Sequence, residues 1–179
     1  MNTDEGASMW NQYIGPLANQ GYTILGSPST TSNPNGLEWI KDWITKISVQ
    51  PTHICVHYYD ISADDFKQYM TKFYNTAGID PGGIDHGKKP LMVTEYACQN
   101  FNDINNQCSS DQVWSFVKDT TSWMDQTEWI VAYAPFGAFY LSPQPPPSTD
   151  IYVSPVPRLH ARHARRQHRQ PAHEQHPVR

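Results

Sequence analysis

Arginine is absent from the first 157 residues of this 179-residue chain, and all six arginines lie between residues 158 and 179. The first 157 residues hold seven lysines and sixteen acidic residues, a net charge of −9, whereas the remainder carries +5. A single fold rarely confines every arginine to one end. The charge pattern therefore divides the chain into an acidic body and a basic tail.

Other absences exclude whole classes of protein. No stretch approaches the roughly 20 apolar residues that a membrane-spanning helix needs, so we expect no membrane association. The first five residues have neither a basic start nor an apolar stretch, and we expect no signal peptide in this chain. No glycine-rich phosphate loop follows an apolar strand, which argues against a nucleotide-binding sheet.

The tail has its own composition. Residues 141–179 hold eight of the fifteen prolines and five of the eight histidines, and the arginine-rich part has no usable apolar face, which predicts disorder. A basic run can bind nucleic acid, but no aromatic residues are interleaved with these arginines. A histidine-rich run can bind metal, but no ordered ligand spacing is present among His160, His163, His168, His173 and His176. We favour a non-native extension, with no nucleic-acid partner.

Within residues 1–140, helical and strand patterns alternate, which predicts an α/β fold with parallel strands and covering helices. Thr3 is the predicted N-cap of the first helix, and Ser62 and Ser109 open two later ones. The last predicted helix has its apolar side at Val113, Phe116, Thr120 and Trp123. The predicted strands are Tyr22–Leu25, Thr52–Tyr59, Leu91–Thr94 and Trp129–Tyr133.

These patterns do not distinguish a barrel from an open sheet. A complete (β/α)₈ barrel usually needs about 250 residues, which is more than this chain has. The pattern is therefore compatible with part of a barrel.

One carboxylate stands out at the end of a predicted strand. Glu95 follows the apolar run Leu91–Thr94, which is typical of a strand buried on both faces. Parallel barrels place their chemistry at the C-terminal ends of strands, although most charged residues there are simply solvated. Glu95 is therefore a candidate catalytic residue.

Several segments together resemble a known family. The segments are MWNQYIGPLA, GSP, NGLEWI, VHYYDISADDF, VTEYACQNF and YAPFGA, in unbroken order from Met1 to about Phe139. They resemble fungal glycoside hydrolase family 128, the glycosyl-hydrolase catalytic-core family of cell-wall β-1,3-glucanases. The resemblance implies a partial (β/α)₈ TIM barrel running from about helix four to strand eight. It also implies two domains, a catalytic half-barrel at 1–140 and a disordered tail at 141–179.

The resemblance implies that Glu95 is the nucleophile of a retaining glycosidase. Such an enzyme also needs an acid/base carboxyl about 5–5.5 Å from the nucleophile, which the family carries in an Asn-Glu-Pro motif after strand four. This chain has no such motif, and Asp4 and Glu5 are expected to interact with the dipole of the first helix instead. We therefore expect the chain as written to be inactive.

The remaining candidate residues follow from the same resemblance. His57 and Tyr59 lie two apart on one strand and so share a face, where they are expected to bind Glu95 and the sugar. Tyr133 and Phe136 are candidates for stacking on sugar rings, although aromatic residues there are as often core. Pro135 replaces a tryptophan of the family pattern, which removes its broadest sugar platform.

The positions of the cysteines suggest one disulfide bond. Cys98 and Cys108 bracket a polar loop and form a candidate disulfide, with two free thiols as the alternative. No Cys/His spacing indicates a metal site, and no cofactor is expected.

The sequence thus predicts a glycosidase-like domain related to retaining β-1,3-glucanases, with β-1,3-glucan as its partner. The alternative is a non-catalytic β-glucan-binding or cell-wall protein. Family resemblance places it outside the cell or in the cell wall, as a monomer if the barrel is completed.

Overall fold

The computed structural model describes residues 1–77 and 89–137. The predicted tail at 141–179 lies outside the described residues. Four α-helices and three strands lie within the described ranges, and they alternate from the second helix onward. In chain order they are α1 (Thr3–Met9), α2 (Pro34–Ile44), β1 (Ile54–Asp60), α3 (Ala63–Ala77), β2 (Leu91–Cys98), α4 (Ser110–Asp125) and β3 (Ile130–Pro135).

The three strands form one parallel sheet in the order β1-β2-β3. Each connection between neighbouring strands passes through one helix, first α3 and then α4. Parallel strands need such crossovers because the chain must return to the same end of the sheet before the next strand can begin. The predicted α/β class with parallel strands is confirmed. No described helix has both the length and the apolar character needed to cross a membrane.

The predicted strand at Tyr22–Leu25 is wrong as a regular strand. This segment has no regular secondary structure, and the residues after it form two isolated parallel bridges, Gly26 with His53 and Thr30 with Val56. Pro28, between the two bridges, has no N–H with which to continue a ladder. Tyr22 and Ile24 are exposed, so only Leu25 of this run contributes to the core.

The N-cap of α1 also differs from the prediction. The cap is Asn2, whose side chain accepts a hydrogen bond from the Glu5 N–H, while the Glu5 carboxylate accepts one from the Asn2 N–H. This reciprocal capping box satisfies two backbone donors that the helix itself leaves unpaired. Thr3 instead donates its hydroxyl hydrogen to Asp42.

Helices α3 and α4 cover one face of the sheet. Both begin as predicted, because the Ser62 hydroxyl accepts from Asp65 N–H and Ser109 forms a capping box with Gln112. Each buried apolar side chain in this layer contributes roughly 1.5–3 kcal/mol. The fully or almost fully buried residues include Phe66, Met70 and Phe73 of α3, Phe116 and Met124 of α4, and Ile54, Val56, Leu91, Val93 and Tyr96 of the sheet.

The predicted apolar side of α4 needs one correction. Phe116 and Thr120 are buried, but Val113 is exposed and Met124 is buried instead. Val113 lies in the first turn of the helix, whereas the sheet is covered further along α4. The helical spacing thus identified the correct face but started it one turn too early.

Candidate functional site

Glu95 lies inside β2 rather than at its end. The predicted strand stopped at Thr94, but β2 continues to Cys98. The strand pattern was not recognised after Thr94 because the apolar run is interrupted there by Glu95. Tyr96 and Cys98 are nevertheless buried and belong to the core. The carboxylate therefore stands on a sheet strand and not on a loop.

A β-bulge sets the direction of the Glu95 side chain. Val56 of β1 pairs with Val93, but the next residue, His57, pairs with Glu95, so Thr94 is the extra residue. Val93 is buried, and strict alternation would bring Glu95 to the same face. The bulge changes that alternation, as bulges often do beside active sites.

Tyr96 now occupies the helix-covered face, where its ring lies 5.5 Å from that of Phe66. Glu95 consequently points to the opposite face. His57 and Tyr59 share this opposite face with Glu95, and we call the three residues the carboxylate cluster.

Two side chains of β1 lie close to one oxygen of Glu95, and one of them is hydrogen-bonded to it. The Tyr59 hydroxyl donates a hydrogen bond of 2.5 Å to Oε2 of Glu95, and Nδ1 of His57 lies 3.5 Å from the same oxygen. The Glu95 side chain remains 36% exposed. Within the described part of the chain, no donor is bonded to its other oxygen, Oε1. One carboxylate oxygen is thus hydrogen-bonded, while the other has no donor among these residues.

The electrostatics of the cluster follow from this contact. Burial, together with the hydrogen bond to Glu95 and the negative charge of that carboxylate, raises the pKa of Tyr59. A phenol that resists ionisation remains a hydrogen-bond donor across the physiological pH range. Tyr59 is therefore a persistent donor to Glu95.

Two exposed aromatic rings flank Tyr59. The ring of Phe136, which follows β3, lies 5.8 Å from the ring of Tyr59. The ring of Phe101, in the loop between β2 and α4, lies 5.1 Å from the ring of Tyr59. Phe136 is 58% exposed and Phe101 is 72% exposed. The structure therefore places predicted residue Phe136 beside the cluster, together with Phe101, which the sequence reasoning missed.

Tyr133 lies elsewhere. Its hydroxyl donates a 2.8 Å hydrogen bond to Asp125 of α4, and its ring lies 6.4 Å from the ring of Tyr96. Burial and the contact with Asp125 raise the pKa of Tyr133 to about 12. Tyr133 therefore belongs to the helix-covered face, and the structure does not bring it to Glu95. Tyr133 pairs with Val93, which is buried on that face, whereas Phe136 lies beyond the end of β3.

A disulfide joins Cys98 and Cys108, whose Cα atoms are 6.0 Å apart. It closes the loop that follows β2 and carries Phe101. Cys55 is free and buried. No group of three or more His, Cys, Asp or Glu side chains suited to a metal ion occurs within residues 1–77 and 89–137.

The N-terminal carboxylates are occupied away from the cluster. Asp4 forms an ion pair of 2.7 Å with Lys46, and Glu5 is part of the α1 capping box. Two further acids, Asp60 and Asp103, accept hydrogen bonds from the backbone N–H groups of Ile61 and Asn105. Each of these four carboxylates therefore has a structural partner of its own.

Comparison with solved structures identifies the fold. The chain is similar to a glycoside hydrolase family 128 (subgroup V) exo-β-1,3-glucanase from Cryptococcus neoformans, with 28% identity and a TM-score of 0.64, covering 77% of this chain and 50% of that one. It is also similar to a subgroup VII oligosaccharide-binding protein from the same organism, with 27% identity and a TM-score of 0.63, covering 79% and 52%.

A more distant structure shares the fold alone. It is an endo-β-1,3-glucanase mutant of subgroup I from Amycolatopsis mediterranei, solved with laminaritriose and laminaribiose. The identity is 22% and the TM-score 0.58, over 76% of this chain and 54% of that chain. The chain thus spans about half the length of the solved structures that it matches.

No curated protein matches the chain at a significant level. The family model described as glycosyl hydrolase catalytic core, in contrast, matches residues 1–150. This match covers most of the chain and agrees with the structural similarity to family 128 proteins. The chain therefore belongs to the glycosyl hydrolase catalytic core family.

Proposed function

We propose that this chain carries the nucleophile half of a retaining β-1,3-glucanase site, with Glu95 as the nucleophile. Residues 1–140 correspond in this proposal to helix four through strand eight of a (β/α)₈ barrel. Residues 141–179, which the family match enters only as far as residue 150, form a separate tail. The parallel β1-β2-β3 order and the half-length similarity to family 128 structures support the assignment.

The arrangement of the two Glu95 oxygens carries the proposal. Oε2 accepts the Tyr59 hydrogen bond, whereas Oε1 of this partly exposed carboxylate has no bonded donor among the described residues. In the first step of retention, a carboxylate oxygen attacks the anomeric carbon and the bond to the leaving oxygen breaks. Oε1 is suited to that attack, while His57 and Tyr59 position the group.

Within residues 1–77 and 89–137, no carboxylic acid is identified as the acid/base partner of Glu95. Retention requires a carboxylic acid near the leaving oxygen, with a raised pKa, and Asp4 and Glu5 are engaged elsewhere. We therefore expect this chain to hydrolyse natural β-1,3-glucan extremely slowly. An alkoxide leaving group departs poorly without a proton.

A binding role is the second candidate function. The similarity to an oligosaccharide-binding member of family 128 favours it, as does the exposed ring of Phe136 beside the cluster. In this case Glu95 would accept hydrogen bonds from sugar hydroxyls without bond cleavage. The disulfide supports an extracellular or cell-wall location under either role, because disulfides persist in oxidising compartments.

A leaving group that needs no proton separates the two roles. We would incubate the full chain with 2,4-dinitrophenyl β-laminaribioside and follow release of dinitrophenolate. A nucleophile predicts a burst of about one equivalent per protein, because the glycosyl ester forms but hydrolyses slowly without a general base. Glu95→Gln should abolish the burst, and the matched control Glu128→Gln, at the opposite end of the sheet, should retain it. Laminari-oligosaccharide binding with no burst would favour the binding role.

A further inference from the structure

We infer that Phe101 is a sugar-stacking residue that determines how tightly the site holds a β-linked glucan; this rests on the proposed function. Phe101 lies outside the strands, in the loop between β2 and α4, and its ring is 72% exposed. The ring nevertheless lies 5.1 Å from that of Tyr59, which bonds the Glu95 carboxylate. The loop therefore brings an aromatic surface to the candidate nucleophile.

The loop around Phe101 is held by many side-chain contacts. Asn100 Oδ1 accepts hydrogen bonds from the backbone N–H groups of Asn102 and Asp103, at 2.9 and 3.0 Å. Gln107 reaches back across the loop, accepting from Asn100 N–H and donating to the carbonyls of Asn100 and Asp103. The backbone on either side of Phe101 is thus fixed by polar contacts, although the ring itself is exposed.

The disulfide closes the same loop at its base. Cys98 ends β2 and Cys108 directly precedes the N-cap of α4, so both ends of the loop are anchored to regular structure. A loop with this bracing loses little conformational freedom when a ligand binds, which increases affinity for a given contact. The Phe101 ring does not enter the core, and the braced loop presents it to solvent beside Tyr59, where a ligand can reach it.

The ligand chemistry follows from the ring and its neighbours. β-Linked glucose carries its hydroxyl groups around the edge of the ring, so both faces of the pyranose present C–H groups that pack on an aromatic ring. Phe101 and Phe136 contact Tyr59 from two different loops, and both contacts are edge-on at 64° and 80°. Both phenylalanines also remain exposed, so each can contact a sugar that binds beside Tyr59. Phe101 accordingly stacks on a sugar ring that lies beside Tyr59, the hydrogen-bond donor to Glu95.

Binding of laminarihexaose, measured by calorimetry on the full chain, tests the inference. We expect Phe101→Ala to raise the Kd about fivefold, the effect of losing one aromatic contact, and Phe101→Trp to restore or tighten binding. Ile104→Ala is the matched control, because Ile104 is an equally exposed apolar residue of the same loop. It should leave the Kd unchanged.

The outcomes separate the two proposals. Equal Kd values for the wild type and Phe101→Ala would overturn this inference while the proposed function stands. Equal losses in Phe101→Ala and Ile104→Ala would also overturn it, since they would indicate a general effect on the loop. An absence of laminarihexaose binding by the wild type would overturn both proposals.

Discussion

The Tyr59 hydroxyl donates a hydrogen bond to Oε2 of Glu95 across two neighbouring parallel strands. The contact depends on the bulge at Thr94, which brings Glu95 into register with His57 and onto the face that Tyr59 occupies. A short polar contact between strands thus orients the one carboxylate that the sheet presents beside exposed aromatic rings.

This contact predicts the titration behaviour of Tyr59. Burial and Glu95 raise its pKa above the ordinary value of about 10, so the folded state favours the protonated phenol. The resulting contribution to stability is complete below pH 10 and is lost as the pH rises through the raised pKa. Glu95→Gln should lower the Tyr59 pKa without returning it fully to 10, because burial remains.

Carbon-13 NMR of ring-labelled tyrosine measures this pKa directly, and Tyr59→Phe assigns the signal. Glu128→Gln serves as the charge control and should leave the Tyr59 titration unchanged. An identical Tyr59 pKa in the wild type and Glu95→Gln would contradict the hydrogen bond.

The disulfide is expected to stabilise the domain. Replacing Cys98 and Cys108 together by serine should lower the free energy of unfolding by about 2–3 kcal/mol, because the loop between them is no longer closed in the unfolded state. Urea unfolding followed by circular dichroism measures the loss. Reductant should reproduce it in the wild type and have no further effect on the double variant. A wild type whose stability is insensitive to reductant would argue against the disulfide.

The capping box at Ser109 provides a test of local structure. Ser109→Ala removes the side-chain acceptor for the Gln112 N–H and should cost about 1 kcal/mol of unfolding free energy. Ser110→Ala changes the adjacent residue, which is already inside the helix, and should have a much smaller effect. Equal losses in the two variants, again by urea unfolding, would show that α4 does not begin at this cap.

Much of this structure could be predicted from local patterns. The buried residues Phe66, Met70 and Phe73 follow helical spacing, and the shared face of His57 and Tyr59 follows from strand alternation. These features depend on residues close in sequence. Glu95 was identified for the same reason, as an acid after an apolar run.

The errors arose where distant contacts decide the conformation. The bulge at Thr94 depends on pairing with β1. In the sequence it shows only as a spacing of three residues, instead of two, between the buried residues Val93 and Tyr96. Tyr133 was expected near the sugar, but its partner Asp125 lies on a helix whose position the strand pattern does not reveal. Phe101 was overlooked because Gln107 and the disulfide determine its loop.

Covalent trapping tests the central claim most directly. The full chain would be incubated with 2-deoxy-2-fluoro-β-laminaribiosyl fluoride, whose fluoride leaves without an acid and whose glycosyl ester is long-lived, and the modified peptide would be sequenced by mass spectrometry. The account predicts one fluoroglycosyl adduct per chain, on Glu95, and none in Glu95→Gln. An adduct on a different carboxylate, or an unmodified chain that still binds laminari-oligosaccharides, would contradict the assignment of Glu95 as a nucleophile.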